Sequence, residues 1–293
     1  MSQKNAAGVS LKVIILGVLF AAFWASASVA AKIGIRSVEP LVLFNIRFFI
    51  AGILLLLYAT FVEKQPLPKG IEWRNLTIFG LLNTTIYLSL FVLAIRTVAA
   101  GIGSLSTATN PLLISILSAF WIGRKIKSAE WFAIILGIIG VGIATYPLLQ
   151  NSYADATGLL ILSGSMISYS VATIFFSNIQ WRFSRSAING WQALIGGVLL
   201  MPFTYSSHSR ENNFDLTFWL SELWLSIPVS IVAIQLWLYL LKIDAVKASF
   251  FLFLCPIFGF IYSSLLLDEP ISFYTLIGTA LVLVGLYIGQ RKK

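Results

Sequence analysis

One cysteine, one histidine and only 11% charged residues leave this 293-residue chain with little catalytic equipment. Cys255 has no partner for an intramolecular disulfide, so cysteine usage says nothing about compartment. The chain carries no Cys/His cluster, no H-E-x-x-H and no G-x-S-x-G, the arrangements that hold a catalytic metal or an activated serine. The phosphate-cradling G-x-x-x-x-G-K-[ST] loop is missing too, which argues against direct coupling to ATP. Neither cofactor nor metal is expected, and the sequence gives no sign of an enzyme.

Apolar residues are abundant instead. They make up 58% of the chain, with a mean hydropathy of +0.90, whereas an average soluble domain is roughly 25% charged. They fall in runs of about twenty, the length a helix needs to cross a ~30 Å hydrocarbon core. The runs predict spans near 11–31, 40–62, 73–95, 98–121, 129–148, 157–180, 187–206, 218–241, 246–267 and 271–290. The fold expected is an all-α integral membrane protein of ten transmembrane helices, because backbone groups in lipid must pair within each segment.

A formal net charge of +9 raises the question of nucleic acid, but the basic residues are scattered at span ends and not gathered on one face. Topology accounts for them better. With the N-terminus inside, fifteen of the twenty lie on the cytoplasmic side, among them Lys4, Lys12, Arg124 and Arg291 to Lys293. Lys32, Arg36, Arg96 and Arg210 lie on the other side, and Arg47 within a span. The positive-inside rule thus places both termini in the cytoplasm.

Sliding the chain on itself by 145 residues lays Trp24 on Tyr169, Arg47 on Gln192, Gly52 on Gly197, Ser104 on Ser249, Pro111 on Pro256, Ile126 on Ile271 and Gly140 on Gly285. A constant offset across five pairs of spans predicts two copies of one unit, residues 1–150 and 151–293. An odd number of spans per unit inverts the second copy, the arrangement of many secondary transporters with a midplane substrate site.

Trp24 with Lys32 closing the first span, Pro40 and Arg47 in the second, Asn110-Pro111 in the fourth and the Gly123-Arg124 turn resemble the drug/metabolite transporter superfamily, in its ten-span EamA branch. Cys255-Pro256, Asp268-Glu269-Pro270, Gly278 and Gly285 are the matching signals in the second half. The turn departs from the Gly-Glu often found there. The first span also lacks the proton-exchanging glutamate of the related small multidrug-resistance proteins. The resemblance implies a permease for small metabolites, with amino acids and their derivatives first. Short loops without glycosylation-rich ectodomains fit a bacterial cytoplasmic (inner) membrane, and a monomer or homodimer is expected. Rival readings are a nucleotide-sugar or drug carrier, and a membrane-embedded lipid-modifying enzyme.

Candidate substrate-binding residues follow from helical faces. Trp24 with Ser28, Asn83 with Tyr87, and Gln235 with Tyr239 are four apart and share a face. Tyr169 is the offset partner of Trp24, as Gln192 is of Arg47, and Asn110 precedes a mid-span proline. Arg47 is the ionic side chain best placed to attract an anionic group, unless it snorkels or pairs with Glu39. Pro111 and Pro256 are candidate hinges. All eleven carboxylates fall in loops or near span ends, which predicts facilitated diffusion or exchange over proton coupling. His208 reads as an exposed loop residue.

Overall fold

The computed structural model describes residues 11–123, 125, 127–150, 155–269 and 271–290. Lys4, Arg124, Ile126, Pro270 and Arg291 to Lys293 lie outside them, as do both chain ends and residues 151–154. Among the described residues helices are the only regular secondary structure, and they form ten rods. These are α1 (Leu11–Gly34), α2 (Pro40–Phe61), α3 (Ile71–Ile95), α4 (Ala100–Trp121), α5 (Ser128–Gln150), α6 (Ala156–Asn178), α7 (Arg185–Ser206), α8 (Leu216–Leu241), α9 (Ala245–Leu267) and α10 (Phe273–Gln290). Seven of the rods, α1 to α4, α6, α8 and α9, are long and apolar enough to cross a bilayer. In α5 and α10 the shorter apolar stretches Ser128–Ala144 and Phe273–Gly285 stand out. Asn189 and Gln192, both buried, dilute the apolarity of α7.

Local chemistry sets the rod ends. Pro40 opens α2, where the missing N–H costs nothing. Asp155, Ser184, Asp215 and Asp244 accept hydrogen bonds from the first-turn amides of α6, α7, α8 and α9. The α4 and α9 rods both end on a left-handed residue, Gly123 (φ 67°) and Asp268 (φ 56°), in each case returning its N–H to a serine carbonyl, Ser118 or Ser263.

The helices are irregular at corresponding places. Widened π turns occupy Leu81–Ile86 in α3 and Leu225–Ala233 in α8, the latter around Pro228, which removes a ladder donor. Tight 3-10 turns, Thr107–Thr109 and Phe250–Leu254, run into Asn110-Pro111 and Cys255-Pro256 in α4 and α9. The sequence expects a bend at each proline, and the structure puts a change of helical winding just before it.

Packing is closest in two helix pairs. In α5 against α10, a Cβ on Gly278 would stand 2.2 Å from the Gly140 carbonyl oxygen, and one on Gly285 2.9 Å from that of Ala133. In α2 against α7, Gly52 meets Leu194 and Gly190 meets Leu56. Small residues that bring helix backbones together supply the packing that water-driven burial cannot supply in lipid.

Candidate functional site

Five aromatic rings meet where α1, α3, α6 and α8 converge. Tyr169 has ring centroids at 6.1 Å from Trp24, 4.8 Å from Tyr87 and 5.8 Å from Trp237, and Phe20 stacks on Trp237 at 4.8 Å. Trp24 and Tyr87 lie 6.4 Å apart at an interplanar angle of 20°. The sequence-predicted partners Trp24 and Tyr169 therefore touch the same cluster. Trp237 was not predicted. The π turn in α8 shifts the helical phase, so that Trp237 turns inward and is 3% exposed, while Gln235 and Tyr239 are half-buried.

Beside the rings sits Arg47, 1% exposed. Its Nε donates to Ser230 Oγ at 2.6 Å, and its guanidinium lies 4.8 Å from the Phe44 ring centroid. Both Nη groups are buried with no hydrogen-bond partner. Glu39, the alternative partner considered from sequence, is bound elsewhere, so Arg47 neither snorkels to water nor pairs with it. A polar chain runs on from Ser230. Its carbonyl accepts from Asn189 Nδ2 (2.8 Å), whose Oδ1 accepts from Gln192 Nε2 (2.9 Å), whose Oε1 accepts from Asn83 Nδ2 (2.9 Å). Arg47 and Gln192, equivalent under the 145-residue offset, thus belong to one network across α2, α8, α7 and α3.

Trp24, Ser28, Arg47, Tyr87, Ser104 and Thr107 line a cavity of only about 10 Å³, room for roughly one water. Ser28 Oγ lies 2.6 Å from Ser104 Oγ. Helices must separate before this space admits a metabolite. The Tyr169 and Thr173 hydroxyls, four residues apart on α6, are also buried and face each other.

Two predicted residues are engaged elsewhere. Asn110 bridges α4 to α6, accepting from Ser170 Oγ at 3.0 Å and donating to Met166 Sδ at 3.3 Å. Tyr239 faces the cations Lys12 (6.0 Å) and Arg185 (5.0 Å) near the other ends of α1 and α7. Gln235, one turn before Tyr239 on α8, keeps a buried Nε2 without a partner.

Sequence reasoning also passed over Glu222. It lies in α8 and is 0% exposed, its Oε1 accepting from Ser226 Oγ at 2.6 Å and its Oε2 unpartnered. A position six residues from the rod's start reads as a span end. The helix packing buries it fully.

At the α1–α2 turn, a second cavity of about 220 Å³ is lined by Glu39, Arg96, Ser209 and Arg210 among others. Glu39 accepts from His208 Nδ1 (2.7 Å), the Ser209 N–H (2.8 Å) and hydroxyl (3.0 Å), and the Arg210 N–H (3.2 Å). Burial alone would raise this carboxyl, but the donors from Ser209, His208 and Arg210 outweigh it and hold it at about 2. His208 is exposed as expected, yet it is tied to Glu39. At the opposite end of α2, Glu63 accepts from the Ser184 and Ser186 hydroxyls at the start of α7.

The sequence profile of the EamA-like transporter family matches residues 11–146 and again 156–289, so the chain belongs to that family. An uncharacterized transporter of Archaeoglobus fulgidus is 28% identical over 92% of this chain and 96% of its own length. A probable amino-acid metabolite efflux pump of Escherichia coli is 25% identical, over 94% of this chain and 93% of its own. A solved crystal structure at 18% identity superposes with a TM-score of 0.77, covering 95% of this chain and 98% of that one, which speaks to fold alone. The chain is an integral membrane protein of a transporter family.

Proposed function

We propose that this EamA-family transporter carries a small metabolite, an amino acid or a close derivative, through the space between Trp24, Arg47, Tyr87 and Tyr169 by alternating access. The observation that carries the reading is Arg47, whose two unpartnered Nη groups are buried beside the Phe44 ring in a cavity also lined by Trp24 and Tyr87. A guanidinium fork is matched to a carboxylate, and the rings suit an apolar or flat side chain. The Escherichia coli relative named for amino-acid metabolite efflux supports the same substrate class.

Ten membrane crossings in two inverted five-helix halves, residues 1–150 and 151–293, with both termini cytoplasmic in a bacterial inner membrane, complete the proposal. The matched π turns, 3-10 turns and left-handed caps support the halves, and the two profile matches accord with them. Pro111 and Pro256 follow the 3-10 turns, where a change of winding offers a hinge.

The test is counterflow in proteoliposomes preloaded with unlabelled amino acids, using wild type and Arg47→Ala of equal insertion. Saturable exchange by wild type and its loss in the variant are expected. Equal exchange by both removes Arg47 from the site.

A further inference from the structure

We propose that Glu222 is a proton-carrying group that couples transport to a pH gradient, exchanging its counter-charge, Arg47, for a proton when an anionic substrate group arrives. This rests on the assignment of Arg47 to the substrate site and replaces the uncoupled transport expected from the sequence.

The geometry is a column on one face of α8. Glu222, Ser226 and Ser230 are spaced four apart through its π turn. Ser226 Oγ donates to Glu222 Oε1 and Ser230 Oγ accepts from Arg47 Nε, each at 2.6 Å. Both ends of the column are unfinished, because Glu222 Oε2 and both Arg47 Nη groups are buried without partners. The carboxylate and guanidinium interact electrostatically. From α3, Tyr87 also interacts with Arg47, and from α1, Lys32 is engaged by the carbonyls of Ile95 (2.7 Å) and Val98 (2.9 Å). Among the described residues Arg47 is the cation that interacts with Glu222.

A fully buried ionised carboxylate is expensive without a counter-charge. In the empty carrier Arg47 provides it. When a substrate carboxylate takes the Nη fork, that neutralisation is divided, and Glu222 takes a proton from a water-borne donor, forming one O–H bond at Oε2 as the donor loses one. Departure of the substrate returns Arg47 to Glu222, the O–H bond breaks, and the proton leaves on the same side. One proton then crosses with each substrate. Glu222 lies seven residues beyond the Asp215 cap, roughly 10 Å of helix from the rod's start, so the path to water is short.

The experiment uses full-length protein in proteoliposomes with labelled L-phenylalanine, a carboxylate with a flat side chain, and an inside-alkaline gradient of one pH unit. Wild type should accumulate the label, up to about tenfold, the factor one proton per substrate allows. Glu222→Gln, isosteric and able to keep the Ser226 bond, should exchange phenylalanine at equal concentrations but lose gradient-driven accumulation, and Glu222→Asp should restore part of it. Accumulation retained in Glu222→Gln, or exchange indifferent to the gradient in wild type, overturns the proposal while leaving the transport reading intact. If neither protein moves phenylalanine, the substrate reading fails for that probe and infrared difference spectroscopy decides about Glu222. A protonated-carboxyl band that titrates in wild type and is absent from Glu222→Gln supports it, and identical spectra overturn it.

Discussion

A guanidinium held at 1% exposure with both Nη groups unpartnered is a costly group to keep inside a bilayer, and in the proposed function an anion completes it. Arg47→Lys should therefore leave only residual transport, because a lysine cannot present the bidentate fork, with the loss read in uptake at matched protein levels. In the aromatic cluster, Trp24→Ala and Tyr169→Ala should couple in a double-mutant cycle of thermal stability by roughly 0.5–1.5 kcal/mol, the range for ring pairs in contact. Glu39 makes a separate prediction. Its carboxyl is depressed from an ordinary 4.5 to about 2, so its bonds to residues 208–210 stabilise fully above pH 4.5 and are lost as the pH falls toward 2. Protection of the Ser209 and Arg210 amides, taken relative to the intrinsic exchange rate at each pH, should be high above that window and fall within it, and Glu39→Gln should show low protection already at neutral pH. Slow exchange in the variant would remove the carboxylate from this role.

At the scale of elements, α8 separates what the sequence discloses from what it conceals. Gln235 and Tyr239 share a face of the regular segment Ile234–Leu241, as their spacing expects. The π turn at Leu225–Ala233 rotates that segment relative to the one before it, and Trp237 is the residue that meets the rings. Pro228 was visible in the sequence as a signal of irregular winding, though its direction was not. The α2 and α7 rods are fastened at both ends, by Glu39 to residues 208–210 and by Glu63 to Ser184 and Ser186. They are also joined midway by Asn45 Nδ2 donating to Thr204 Oγ1 at 3.0 Å. The α5–α10 pair depends on backbone approach, and Gly278→Leu should destabilise the protein by about 1–3 kcal/mol, the cost of overpacking, read as a lower melting temperature in detergent. An unchanged melting temperature would mean that the two helices are not tightly apposed.

Across the whole molecule, the sequence disclosed long apolar runs and a repeat offset because both are properties of residue type and spacing. Trp24 and Tyr169 were legible as a pair for the same reason, since an offset links positions without any knowledge of packing. Burial is a different quantity. Glu222 stands near the start of its rod and reads as a boundary residue, and only the neighbouring helices make it fully buried. Asn110 shows the converse. It lies mid-rod, as a binding residue would, yet its amide is used to join α4 to α6. The core around the rings holds only about 10 Å³ of free space, so the proposed route opens when the helices around the rings part.

Counterflow of labelled amino acids in proteoliposomes, comparing wild type with Arg47→Ala, bears most directly on the claim that this buried arginine and its rings form the substrate site. The account predicts saturable exchange of at least one carboxylate-bearing, apolar amino acid by wild type and none by the variant at equal membrane insertion. Exchange of the same substrate at the same rate by both proteins would contradict it.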